Sequence, residues 1–162
     1  MFDDNGNFVV SKIIKVMPKN IVHKLADVCR GKIYTLSRDK NACRVIQRLL
    51  DRFPPDEIRF IFEELKAEVN ALILAEFGNY VLSHVLLVGT HLDKCYIIDK
   101  ILDDIVQLSM HKFGSNVVEK CLELAPEDKR ESLLDCIIGV PVSNHRLTLI
   151  DLMNSQFANY VV

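Results

Sequence analysis

One eight-residue pattern of apolar and polar positions recurs along the chain. Complete copies begin at Asn7, Cys43, Asn79 and Ser115, each 36 residues after the last, and a partial copy begins at Asn159. The third, fourth, seventh and eighth positions are apolar in every complete copy, as in Val45, Ile46, Leu49 and Leu50 of the second. Because a helix turns about 100° per residue, these four positions share one face. Each copy is therefore predicted to be a helix that packs into the interior along that face.

Other columns keep the same period and divide each unit into three helices. A proline stands eleven residues after the start of three copies, at Pro18, Pro54 and Pro126, where it suits the first turn of a new helix. A short apolar segment, such as residues 70–77, then leads into the next copy. The last interval is eight residues longer, and we expect the insertion near residues 139–148, whose Gly, Pro, Ser and Asn are typical of a loop. Stacked helical units of this length form a solenoid with a concave surface.

The first, second, fifth and sixth positions of the pattern are expected to face outward. The first positions are short side chains: Asn7, Cys43, Asn79, Ser115 and Asn159. The second positions end in a flat group: Phe8, Arg44, Tyr80, Asn116 and Tyr160. The fifth positions are polar: Ser11, Gln47, Ser83 and Glu119. The sixth positions are basic or can be protonated: Lys12, Arg48, His84 and Lys120.

These outward side chains suit a nucleotide base that has left its stack. The first and fifth positions lie one helical turn apart, so they can contact one base edge together. The second position can stack on the base face, which is worth about 1–3 kcal/mol per base. The sixth position supplies a weaker contact to the phosphate backbone. The pattern therefore predicts one base bound by each unit.

Composition limits the alternatives. No apolar run reaches the roughly 18 residues of a membrane-spanning helix, and acidic residues near the start argue against a signal peptide. The five cysteines form no CxxC pair and are expected to stay reduced in a cytosolic compartment. The net charge of −2 counts against nucleic-acid binding unless one face is locally basic.

Nothing in the sequence indicates catalysis or a cofactor. The histidines have no spacing to Cys, Asp or Glu that demands a metal ion, so we assign no metal site. The acidic pair Asp103 and Asp104 is interpreted as helix surface rather than as a catalytic pair. The chain is therefore predicted to be a binding protein and not an enzyme.

The motifs CRVIQ, NYVLS, SNVVE and NYVV, in that order, resemble those of the Pumilio (PUF) family of RNA-binding repeat proteins. The period of 36 residues and the insertion before the last motif resemble the same family. The resemblance covers residues 1–162 and implies a right-handed all-α solenoid, or superhelix, of three-helix repeats. The motif order is similar to the last five of the eight repeats usual in the family. It implies a partial repeat domain that is cut at both ends.

The resemblance also implies a base for each unit, with the RNA antiparallel to the protein. Asn159 and Tyr160 would hold U, Ser115, Asn116 and Glu119 would hold G, Asn79, Tyr80 and Ser83 would hold U, and Cys43, Arg44 and Gln47 would hold A. The expected core is 5′-UGUA, followed by a base at Asn7, Phe8 and Ser11. Ser83 and Ser11 replace the Gln usual in uracil-binding repeats, so discrimination is expected to be weaker there.

By this resemblance the protein would bind single-stranded mRNA in 3′ untranslated regions and repress translation in the cytoplasm. It would be a monomer, and co-repressor proteins would bind its convex face. Two alternatives stay open. One is a protein-binding helical scaffold of the HEAT or armadillo kind. The other is a nucleolar PUF-like protein that binds RNA with little base preference.

Overall fold

The computed structural model describes residues 6–138 and 149–161. Within these ranges the chain forms twelve α-helices and two 3₁₀ helices, and no strand. The α-helices are α1 (Gly6–Val16), α2 (Lys19–Val28), α3 (Ile33–Ser37), α4 (Ala42–Arg52), α5 (Arg59–Ala67), α6 (Val69–Ile73), α7 (Gly78–Val88), α8 (His91–Leu102), α9 (Ile105–Met110), α10 (Gly114–Leu124), α11 (Glu127–Ile138) and α12 (Leu149–Asn154). The 3₁₀ helices are Pro55–Ile58 and Ala158–Tyr160. The insertion expected near residues 139–148 lies outside the described residues.

Each complete copy of the eight-residue pattern lies in one helix of eleven residues, and we call α1, α4, α7 and α10 the octapeptide helices. They pack in chain order, α1 on α4, α4 on α7 and α7 on α10. The second helices of the units (α2, α5, α8 and α11) include two further packed pairs, α5 with α8 and α8 with α11. The predicted all-α stack of three-helix units is therefore confirmed. Of the helices described, none is both long and apolar enough to cross a membrane.

The apolar face of the octapeptide helices forms the centre of one continuous core. In α4 its members Val45, Ile46, Leu49 and Leu50 are at most 2% exposed. The corresponding residues of α7 are buried too, as are Val117, Val118 and Cys121 of α10. In α1, by contrast, Ile14 is buried but Val9 is 61% exposed. The difference follows from packing, because α1 lies at one end of the row and has an octapeptide helix on one side only.

Each octapeptide helix begins with a small residue, and at two of these residues the chain turns too tightly for a Cβ atom. A Cβ atom on Gly78 would lie 2.9 Å from the carbonyl oxygen of Leu72, and one on Gly114 would lie 2.8 Å from that of Leu108. Both distances are shorter than a real Cβ tolerates, and backbone atoms cannot move aside easily. The third helix of one unit is therefore held directly against the start of the next octapeptide helix.

An ion pair links the second helices of two neighbouring units. Arg59, at the start of α5, donates through Nη1 to Oδ2 of Asp93 in α8 at 2.9 Å and through Nη2 to the other carboxylate oxygen. Thr90 and Asp93 also form a capping box at the start of α8. The Asp93 side chain is only 1% exposed. This buried carboxylate is thus fully engaged by its own helix and by the preceding unit.

Candidate nucleic-acid interface

The flat second-position side chains lie on the surface of successive octapeptide helices. Phe8, Tyr80 and Tyr160 are 63%, 53% and 74% exposed. Arg44 is exposed, and Asn116 is half-buried. Because the octapeptide helices pack in order, these side chains form a row with one flat group per unit. The expected outward direction of the second position is confirmed, and its stacking role stays a prediction.

The first position does not face outward as expected. Asn7, Cys43, Asn79 and Ser115 are between 0% and 6% exposed, and only Asn159 is exposed. The expectation came from helical angles alone. These side chains lie at the start of their helices, and Asn79 also contacts Asn116 of the neighbouring octapeptide helix. The first positions of the four complete copies are therefore buried next to exposed or half-buried second positions, and their contact with base edges stays a prediction.

Asn79 shows how hydrogen bonds hold a buried first-position side chain in place. Its Nδ2 donates to the carbonyl oxygens of Ala75 and Glu76 at 2.9 and 2.8 Å. Its Oδ1 accepts from Nδ2 of Asn116, in the next octapeptide helix, at 3.1 Å. Asn79 therefore satisfies two carbonyl groups at its own helix start and fixes the flat amide of the following unit.

Cys43 is the first-position residue of the second copy, and its side chain is uncharged. Burial raises the pKa of its thiol above the ordinary value. Its Sγ donates to the carbonyl oxygen of Lys40 at 3.4 Å. A compact neutral thiol of this kind can pack against a base edge without desolvating a charge.

Capping side chains stand four residues before the second, fourth and partial copies, and the sequence analysis missed them. Oδ1 of Asp39 accepts from the backbone N–H groups of Asn41 and Ala42, and Nδ1 of His111 accepts from those of Phe113 and Gly114. Oγ of Ser155 accepts from those of Phe157 and Ala158. The sequence signal was a polar residue four residues before the first position of a copy. The third copy has Ala75 there, which cannot cap.

The polar fifth positions lie beside the row of flat side chains. Ser11, Gln47, Ser83 and Glu119 are all half-buried. Within the described chain, the side chains of Gln47 and Glu119 make no hydrogen bond with another residue. Their polar groups can therefore bind a ligand without first breaking a protein contact.

The basic sixth positions are largely paired with acids. Nη1 of Arg48 lies 3.0 Å from Oδ2 of Asp51, and Nε2 of His84 lies 2.8 Å from Oδ1 of the same residue. Lys120 forms an ion pair with Glu123. Because these acids offset much of the positive charge, phosphate attraction along this stripe is weaker than the sixth positions alone suggest.

Comparison with known proteins gives one consistent family. The model of the Pumilio-family RNA-binding repeat matches residues 32–66 and 104–138. A Pumilio domain-containing protein of Schizosaccharomyces pombe is 31% identical over 99% of this chain, which covers 23% of that protein. Pumilio homology domain family member 4 of Saccharomyces cerevisiae is 27% identical over 99% of the chain and 18% of its own length. The chain thus spans about a fifth of these curated relatives.

Two solved structures share the architecture. PUF-8 in complex with PBE-RNA has a TM-score of 0.91 and 29% identity to this chain. The match covers 99% of this chain and 47% of the PUF-8 chain. The Puf3 RNA-binding domain bound to the Cox17 RNA 3′ UTR recognition sequence has a TM-score of 0.88 and 32% identity. This match covers 98% of this chain and 50% of the Puf3 chain. The chain therefore corresponds to about half of each solved repeat domain.

Proposed function

Because this chain belongs to the Pumilio (PUF) family of RNA-binding repeat proteins, we propose that it binds single-stranded RNA sequence-specifically, with one base at each octapeptide helix. One observation carries the proposal. Flat side chains such as Tyr80 stand exposed in a row, with half-buried polar groups such as Gln47 and Glu119 beside them. Two relatives solved with RNA bound give the same architecture.

Each base would be held mainly by stacking. Because the octapeptide helices pack in order, a base inserted along the row would meet the flat group of one helix and that of the next. Stacking contributes about 1–3 kcal/mol per base and tolerates any base. Selectivity therefore has to come from the polar side chains beside the stack, chiefly at the fifth position.

The proposed preference is a 5′-UGUA core. Glu119 has a carboxylate that only accepts hydrogen bonds, which matches the N–H donors on the Watson–Crick edge of guanine. Gln47 both donates and accepts hydrogen bonds, which suits the edge of adenine, and the neutral Cys43 thiol can pack against the same base. Ser83 is too short to take the place of glutamine, and Asn79 is fully buried, so the uracil between these bases would be the least discriminated.

The proposed role is binding of mRNA 3′ untranslated regions with repression of translation in the cytoplasm. The support is indirect: a similar domain, that of Puf3, was solved with a 3′ UTR recognition sequence. The protein would act as a monomer, with the octapeptide helices for RNA and other helices available to co-repressor proteins.

The decisive experiment measures fluorescence anisotropy of labelled RNA oligonucleotides containing UGUA and each single-base change. We expect the largest loss when G is replaced, because Glu119 then faces a base edge without matching donors. Equal affinity for all oligonucleotides would favour the nucleolar-type binder with little base preference. Absence of binding would favour the protein-binding scaffold.

A further inference from the structure

Three potential metal ligands meet on the second helices, away from the octapeptide helices. His91 and Cys95 lie one turn apart on α8, and Asp128 lies near the start of α11 in the next unit. Among the described residues, these three form the group of His, Cys and acidic ligand atoms that lie within 4.8 Å of one another. The sequence analysis assigned no metal site because Asp128 is 33 residues from Cys95 and only the packing of α8 on α11 joins them.

The distances between the ligand atoms match a tetrahedral site. His91 Nε2 lies 3.4 Å from Cys95 Sγ and 3.4 Å from Asp128 Oδ2, and Sγ lies 3.9 Å from Oδ2. Zinc bonds are about 2.3 Å to sulfur and about 2.0–2.2 Å to nitrogen and oxygen, so ligand atoms around a tetrahedral zinc lie about 3.3–3.6 Å apart. Two of the three separations already agree, and the third needs a shift of a few tenths of an ångström.

We propose that His91, Cys95 and Asp128 bind one zinc ion, with water as the fourth ligand. A mixed nitrogen, sulfur and oxygen set selects a borderline metal such as Zn²⁺ over Mg²⁺ or Ca²⁺, which prefer oxygen alone. His91 and Asp128 have side chains 59% and 55% exposed, so an ion can enter from solvent. On binding, the Cys95 thiol loses its proton to solvent and the thiolate coordinates the metal.

The site would join two units of the solenoid. His91 and Cys95 belong to the third unit and Asp128 to the fourth, so the ion cross-links α8 to α11. Nearby, Lys129 bonds to Asp99 at 2.5 Å, so that pair is close to neutral and does not repel a cation. Because a ligand that binds only the folded state stabilises it, zinc should raise the melting temperature. The proposal does not rest on RNA binding.

The test uses the full chain stripped of metal and titrated with Co²⁺ and Zn²⁺. We expect one equivalent of Co²⁺ to give a thiolate-to-cobalt charge-transfer absorption, and Zn²⁺ but not excess Mg²⁺ to abolish it. Cys95→Ser should remove this absorption, and Cys95→Ser and Asp128→Asn should each weaken zinc binding by about tenfold or more. Matched controls on α11 are Cys136→Ser and Asp135→Asn, which should bind zinc as the unaltered chain does.

Thermal unfolding supplies the second readout. Zinc should raise the melting temperature of the unaltered chain and of both controls, and leave that of Asp128→Asn nearly unchanged. Circular dichroism of the metal-free variants establishes that each is folded. The proposal is overturned if cobalt gives no thiolate band, or if folded Cys95→Ser and Asp128→Asn bind zinc as tightly as their controls.

Discussion

The side chain of Asn116 donates a hydrogen bond from Nδ2 to Oδ1 of Asn79 at 3.1 Å, across the boundary between two octapeptide helices. The first-position residue of one unit thus orients the second-position residue of the next. The two proposed base sites are therefore connected by a hydrogen bond, and a substitution at Asn79 is expected to change the orientation of Asn116.

A double-mutant cycle measures this connection. Asn79→Ala removes the acceptor for Asn116 and the side-chain donor to the carbonyl group of Glu76, while the carbonyl group of Ala75 keeps the backbone N–H of residue 79. We therefore expect a loss of about 1–3 kcal/mol in the free energy of unfolding. Asn116→Ala should cost less. Urea unfolding of both single variants and the double variant should show a coupling of about 0.5–1.5 kcal/mol. Strict additivity would mean that the bond contributes nothing.

Exchanging the polar pair of the fourth unit tests base selectivity. Ser115→Asn together with Glu119→Gln should move the preference at one base from G to U. The reason is that an amide at the fifth position both donates and accepts hydrogen bonds, whereas the carboxylate of Glu119 accepts only and so matches the donors of guanine. Anisotropy with UGUA and UUUA oligonucleotides reads the change. Unaltered relative affinities would refute the assignment of this unit to G.

Removing one stacking ring tests the row of flat side chains. Tyr80→Ala should weaken RNA binding about 5- to 150-fold, the equivalent of 1–3 kcal/mol. Tyr80→Phe keeps the ring and serves as the matched control, with affinity close to that of the unaltered chain. Because Tyr80 is half exposed, neither variant should unfold the protein. Similar losses for both variants would assign the effect to the hydroxyl group instead of stacking.

Acid should weaken the link between α5 and α8. Burial alone would raise the pKa of Asp93, but hydrogen bonds from Arg59 and Thr90 hold it well below its ordinary value of 3.8. A lowered pKa gives stability that is complete above the unfolded-state value and is lost as pH falls toward the folded-state value. The free energy of unfolding should therefore decrease below about pH 5.

Asp93→Asn should remove this part of the pH dependence and destabilise the protein by about 3 kcal/mol near neutral pH, because it leaves Arg59 without its buried partner. Asp103→Asn is the control, since Asp103 pairs with Lys100 but is 69% exposed. It should change the free energy of unfolding by less than about 0.5 kcal/mol. Equal effects of the two substitutions in urea unfolding would contradict a special role for the buried pair.

The sequence predicted what depends on local periodicity. The three-helix units follow from spacing alone, and so does the exposure of Tyr80. Burial of the first position does not follow from spacing. Asn79 contacts the residues just before its own helix and Asn116 of the following helix, and the angles within a single helix predict neither contact. The pairing of His84 with Asp51 and the cluster of His91, Cys95 and Asp128 likewise need side chains from different units.

The amide of Asn79 restricts how the third unit can be redesigned. In the fourth unit Nδ1 of His111 accepts from the backbone N–H groups of Phe113 and Gly114 at the helix start, so an exchange of Ser115 leaves those two groups satisfied. In the third unit Ala75 offers no such acceptor, and Nδ2 of Asn79 donates instead to the carbonyl oxygens of Ala75 and Glu76. Replacing Asn79 with a side chain that cannot donate would leave the carbonyl group of Glu76 without this donor, and an aspartate in place of Ala75 would not restore it, because a carboxylate only accepts hydrogen bonds.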